Sequence, residues 1–138
     1  MNQARRQAYL ILIESLLTCP SEEKTAILQA NLELLDDEFA EYLREWATET
    51  LPNLDASQAY SFASNIYNIN YIIGDFPLGS RASNLEIAIA CDDIVLMVWT
   101  KDIYPEKWAQ IQNSRAIDYT NRIKGDRGDN LEKAIGFY

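Results

Sequence analysis

Gly79-Ser80-Arg81-Ala82-Ser83-Asn84-Leu85-Glu86-Ile87-Ala88-Ile89 returns later in the chain as Gly125-Asp126-Arg127-Gly128-Asp129-Asn130-Leu131-Glu132-Lys133-Ala134-Ile135, with seven of the eleven positions identical. The same offset of 46 residues sets Phe62 opposite Trp108, Ala63 opposite Ala109 and Ile73 opposite Tyr119. Self-similarity at a fixed period of this size is the mark of a repeat architecture. Each unit reads as a helix, a Gly-x-Arg-x-x-Asn-Leu-Glu turn and cap, and a second helix. Such a hairpin cannot bury both of its faces alone, so it stacks on a neighbour. Within the turn, Ser83-Asn84-Leu85-Glu86 has the spacing of a capping box, serine to a backbone amide and glutamate back to the serine amide.

Outward from the repeat, the punctuation of the chain is helical. Helices are expected over 3–18, from Ser21 to about Leu35, from the Asp36-Asp37 cap onward, and from the Asp55 cap. Three more follow: one running to about Thr100, one from Pro105 to about Ile123, and one from Asp129. Proline at position 20 stops the first helix, because the residue before proline avoids the helical region. The third has the clearest pattern, Phe39, Tyr42, Leu43, Trp46 and Ala47 at i, i+3, i+4, i+7 and i+8. Its other face carries Glu38, Glu41, Glu45 and Glu49, like charges that keep that side in water. Only five glycines and four prolines occur in 138 residues, too few for the frequent turns of an all-β chain. The reading is an all-α chain of stacked antiparallel helical hairpins. It has an N-terminal three-helix cap over 1–54 and repeats over 55–104 and 105–138, the last incomplete.

Composition narrows the function. Twelve basic residues stand against 21 acidic ones, a net charge of −9, and nowhere do Lys and Arg cluster as a phosphate-binding surface requires. Nucleic acid and anionic membranes are poor partners. The chain has no histidine, which removes the commonest general base and most zinc sites. Cys19 and Cys91 lie far apart in apolar helical context and read as buried thiols. Glu14 interrupts the apolar run 8–13, which argues against a signal peptide ahead of Cys19. No segment reaches the length of a membrane span, and the expectation is a cytoplasmic protein. Asp92-Asp93 is the only place for an acid–base or metal reading, and adjacent helical residues diverge by about 100°. No catalytic residue, metal or cofactor is assigned.

Pro105-Glu106-Lys107-Trp108-Ala109, Gln112-Asn113, Tyr119, Arg122-Ile123 and the Gly125–Ile135 segment resemble the extended tetratricopeptide repeats of cyanobacterial-type proteins. The likeness covers 79–138 and thins over 55–78. The leader 1–54, with Leu17-Thr18-Cys19-Pro20 and Ile27-Leu28-Gln29-Ala30-Asn31, resembles the segment that precedes such arrays. The resemblance implies a non-catalytic scaffold for proteins or peptides, a module that in this family is sometimes followed by caspase-like or other effector domains. It also implies that the first helix of each hairpin lines a concave groove. On this chain that face holds Ser64, Tyr67 and Tyr71 in one unit and Gln110, Asn113, Ile117 and Asn121 in the next. Tyrosine offers contact area at low entropy cost, and amides bond an extended backbone.

The chain departs from the family at two positions. Arg115-Ala116 replaces a Leu-Gly pair, and Asp92 replaces an aromatic that Tyr138 restores in the next unit. Opposite charges at ordinarily apolar positions suggest that Asp92 and Arg115 form a compensating ion pair. The alternative function is a self-associating structural spacer, a homodimer joined through Ile87, Ile94 and Met97, apolar positions where the family is often polar.

Overall fold

The computed structural model describes residues 2–137, all helices and connections, with no strand among them. The helices are α1 (Gln3–Thr18), α2 (Lys24–Ala30), α3 (Asp37–Thr50), α4 (Ala56–Gly74), α5 (Arg81–Val98), α6 (Pro105–Asn121) and α7 (Arg127–Phe137). Tyr138, the expected aromatic of the last unit, lies outside the described residues.

Side chains fix the helix ends where the sequence offers them. Asn2 accepts from the Arg5 amide at 2.7 Å, and Asp36 accepts from the Phe39 amide at 2.9 Å. Asp55 and Gln58 close a reciprocal capping box at the start of α4. The C-terminus of α1 is closed by a cation. Lys24 is 3 % exposed, and its Nζ donates to the Leu16 carbonyl at 2.6 Å and the Cys19 carbonyl at 3.3 Å. A buried ammonium survives there because it sits at the negative helix end and bonds carbonyls left without amide partners.

Pairing across the helices gives their directions. Tyr60 meets Trp99 and Asn70 meets Asp92, so α4 and α5 are antiparallel. Asp92 meets Ser114 and Glu86 meets Arg122, so α5 and α6 are antiparallel as well. The same holds for α6 and α7, where Arg122 meets Asn130 and Tyr119 meets Phe137. By contrast, α4 and α6 lie side by side in the same sense. Tyr67 reaches Gln110, and Asn70 reaches both Ser114 and Asp118, separations of 43, 44 and 48 residues. Helices α3 and α5 are related likewise, Asp37 to Ser83 and Arg44 to Asp93, 46 and 49 residues apart.

The repeat read from the sequence is repeated in atomic detail at the two turns. Gly79 and Gly125 have φ of +76° and +80°, the left-handed region that glycine adopts without steric cost. The Asn84 amide donates to the Leu78 carbonyl and the Asn130 amide to the Lys124 carbonyl, each at 2.9 Å. Arg81 donates to the Gly74 carbonyl as Arg127 does to that of Thr120. Ser80 caps the Ser83 amide as Asp126 caps that of Asp129. The helix therefore starts at Arg81, and the capping box expected at Ser83-x-x-Glu86 does not form. Ser83, already inside the helix, donates to Asp37 at 3.0 Å, and Glu86 takes Arg122 at 2.8 Å. Gly125→Ala meets nothing closer than 3.5 Å, so its effect is on the backbone alone. We expect a loss of about 1–2 kcal/mol in urea denaturation.

One continuous core runs from Tyr9 and Leu12 in α1 through Phe39 and Leu43 in α3 to Ile94, Trp99 and Ile111. The packing does not part at 54/55: α3 lies along α5, and α1 and α2 touch α4. This corrects the homodimer surface expected on α5. Ile87 and Ile94 are 0 % exposed because helices of the same chain cover them, and only Met97 of the three reaches the surface.

Candidate functional site

The parallel helices α4 and α6 leave a groove of about 420 Å³ between them. Tyr67, Tyr71, Gln110, Asn113, Ile117 and Asn121 line it, six of the seven groove residues expected from the sequence. The seventh, Ser64, is half-buried one turn away and does not line it. Tyr71 is 68 % exposed and Ile117 46 %, large side chains held out over the groove. Tyr67 is steadied by the Trp99 ring and by Gln110, whose Nε2 donates to its hydroxyl at 3.1 Å. Asp75 and Arg81 stand at one end of the groove, and Arg81 is tied to the Gly74 carbonyl.

The floor is polar. Asn70, Ser114 and Asp118 face the groove from below, and Asp92 lies beneath them at 0 % exposure. The Asn70 Nδ2 amide has three acceptors in reach: the Ala88 carbonyl at 2.8 Å, Asp92 Oδ1 at 3.0 Å and Asp118 Oδ2 at 3.1 Å. The Ser114 hydroxyl lies 3.0 Å from Asp92 Oδ1 and 3.2 Å from Asn70 Oδ1. Asp92 Oδ2 is buried and receives no hydrogen bond from any donor among the described residues.

Two carboxyl groups so placed cannot both ionise. Burial first, and then the neighbouring Asp118, push the Asp92 carboxyl far above the usual carboxylate range. Burial also raises Asp118, although bonds from Asp92 and Asn70 oppose it. The pair holds one proton at neutral pH. That proton belongs on Asp92 Oδ2, the oxygen without a donor, from which it bonds Asp118. The charge left on Asp118 is the one that faces the groove. Because Asp92 has no surface there, only Asp118 of the two can touch a ligand.

The expected Asp92–Arg115 ion pair does not form. Arg115 lies 3.3 Å from Asp93 Oδ1, and Arg44 from α3 lies 3.1 Å from the other oxygen. Asp93 is about 100° further round α5 than Asp92 and faces the half-exposed seam where both guanidiniums remain partly in water. Asp92 faces inward, where a desolvated arginine would be expensive, and meets uncharged donors instead.

Protein-family models, curated proteins and solved structures offer no match to this chain. The groove is therefore interpreted from its own chemistry. Sequence reading passed over Asn70, Ser114 and Asp118. One signal was available: Asn70 sits between Ile66, Ile69 and Ile73 on the core stripe of α4, where a polar residue requires buried partners. Among the described residues no three acidic or thiol side chains converge as a metal site, and no helix is long and apolar enough to cross a membrane.

Proposed function

We propose that this chain is a non-catalytic protein-interaction module, a tetratricopeptide-like stack of hairpins that holds an extended peptide segment between α4 and α6. The observation that carries this reading is the composition of the groove walls: exposed Tyr71 and Ile117 beside the amides of Gln110, Asn113 and Asn121. An extended peptide has backbone donors and acceptors that need partners, and side-chain amides supply both kinds. The tyrosine and isoleucine give apolar contact along the same line, the mixture that enriches protein-recognition surfaces. The resemblance of the repeat to tetratricopeptide arrays points the same way, as does the parallel packing of α4 on α6 at nearly the repeat offset.

The test is selection of random peptides displayed on phage against the immobilised full chain, followed by affinity measurement with groove variants. Tyr71→Ala and Asn113→Ala should each weaken a selected peptide about tenfold, the effect of truncating an anchoring contact. Both side chains are exposed, so unfolding free energies should stay within about 0.5 kcal/mol of the wild type. Selected peptides that bind both variants with unchanged affinity would place the binding surface elsewhere.

A further inference from the structure

We propose that the groove takes a lysine or arginine side chain of its bound peptide onto the Asp118 carboxylate, and that the proton shared by Asp92 and Asp118 leaves to solvent as the cation arrives. The inference rests on the peptide-groove reading and names the residue class that the groove selects. Four observations lead to it. Asp118 is 8 % exposed and what remains open of it faces the groove, so a ligand reaches its carboxylate from one side only. Asp92 Oδ2, fully buried behind it, receives no hydrogen bond from the described residues, so it is the oxygen that carries the shared proton. Tyr67 and Tyr71 line the same groove as Asp118, and aromatic faces attract ammonium and guanidinium groups. The chain as a whole carries −9, which steers basic partners toward it.

The surrounding charges leave this position open to a cation from outside. From α4 and its C-terminal end the groups facing the pair are Asp75 and the two tyrosines. From α5 they are Arg81, the Cys91 thiol and Asp93. Arg115 of α6 and Arg44 of α3 are engaged by Asp93, and Lys133 of α7 lies over the Tyr119 ring. Arg81 is the nearest unpaired guanidinium and tempers the charge of Asp118, but its hydrogen bond goes to the Gly74 carbonyl. Among the described residues no cation bonds either carboxyl of the pair. A cation brought by a ligand supplies the charge that the second ionisation requires, so both carboxylates exist together once it is seated. Binding then releases a proton and strengthens as pH rises.

The experiment uses two neutral-capped probes, Nα-acetyl-arginine methylamide and its citrulline analogue, titrated onto the full ¹⁵N-labelled chain at pH 5.5, 7.0 and 8.5. The arginine probe should shift the amides of Asn70, Ser114 and Asp118 and bind at least ten times more tightly than citrulline. Its affinity should climb toward about tenfold per pH unit, the limit for one released proton. Asp92→Asn removes the exchangeable proton and keeps a donor for Asp118, so it should flatten that climb while retaining the arginine preference. Asp118→Asn should abolish the preference, with circular dichroism confirming the fold of both variants. Equal binding of arginine and citrulline, or arginine binding unchanged across the pH range, overturns the assignment. The two readings fail separately. Phage-selected peptides with no basic residue sink the cation site and leave the peptide groove standing. An arginine probe that titrates on Asp118, with no selected peptide sensitive to Tyr71, sinks the peptide groove instead.

Discussion

Replacing Asp92 by asparagine should make the protein more stable at pH 8 and remove most of the dependence of its stability on pH between 5 and 8. In the folded chain the Asp92–Asp118 pair retains a proton that the unfolded chain gives up above about pH 4, the ordinary aspartate value. Raised in the folded state, this carboxyl contributes most at low pH, and its contribution falls as pH climbs above the unfolded value. With one proton bound only when folded, the loss is about 1.4 kcal/mol per pH unit, or about 4 kcal/mol from pH 5 to 8. Other shifted carboxyls act outside this window. Asp37 is lowered by Lys124, and Glu45 by Arg6. At Asp36 burial works upward, yet bonds from Tyr9, Arg5 and the Phe39 amide prevail and lower it. The stability these three supply is present above about pH 4 and disappears only below it. The chain has no histidine to titrate between. Burial raises the Cys91 thiol, whose contribution declines only above the ordinary thiol value of about 8.5. Asparagine offers Nδ2 to Asp118 and keeps an oxygen for Asn70 and Ser114, so it reproduces the protonated acid. Urea denaturation of both proteins at pH 5, 6, 7 and 8 checks this. A flat wild-type profile, or a variant less stable than wild type at pH 8, would contradict it.

Asn70→Leu should be the most damaging single change in the groove, by about 3–5 kcal/mol. Asn70 is 5 % exposed and from α4 bonds both α5 and α6. Leucine fills a similar volume but donates nothing. The Ala88 carbonyl loses a side-chain donor, Asp118 Oδ2 loses its amide, and Ser114 loses Asn70 Oδ1 as an acceptor. Ser114 keeps Asp92 Oδ1 and the Ala88 carbonyl keeps its helix amide, but Asp92 and Asp118 both lose the Asn70 amide, and a buried donor lost at each carboxyl costs about 1–3 kcal/mol. Asn68→Leu is the matched control. Its side chain makes one exposed bond, 3.3 Å to Ser21, and its removal should change stability by no more than about 0.5 kcal/mol. Thermal unfolding followed by circular dichroism distinguishes the two. Equal effects would show that the floor network contributes nothing specific.

What the sequence discloses and what it hides divide along physical lines. Local signals were legible: the limits of α1, the Asp36 cap and the 46-residue offset depend on neighbours within a few positions or on direct repetition. The groove walls came from the resemblance, which implies that the first helix of each hairpin lines a groove; six of the seven residues it marks line one, and Ser64 does not. The floor was not legible. Whether Asp92 or Asp93 meets Arg115 is decided by the rotation of α5 about its axis, and one residue changes that by about 100°. The turn misled for a related reason. Serines at 80 and 83 both precede a plausible helix start, and only the left-handed glycine at 79 selects the earlier one.

The two glycine turns make residues 79–124 an interchangeable cassette. Leu78 and Lys124 hand the chain to Gly79 and Gly125 with the same φ and the same asparagine, arginine and capping bonds. A second copy of 79–124 spliced after Lys124 therefore meets the junction geometry it already has at its own start. If the hairpins stack as proposed above, each inserted copy would set another helix beside α6 and lengthen the groove by one more wall. The corner works as a connector of fixed pitch, and the reach of the groove becomes a matter of how many times the same 46 residues are written.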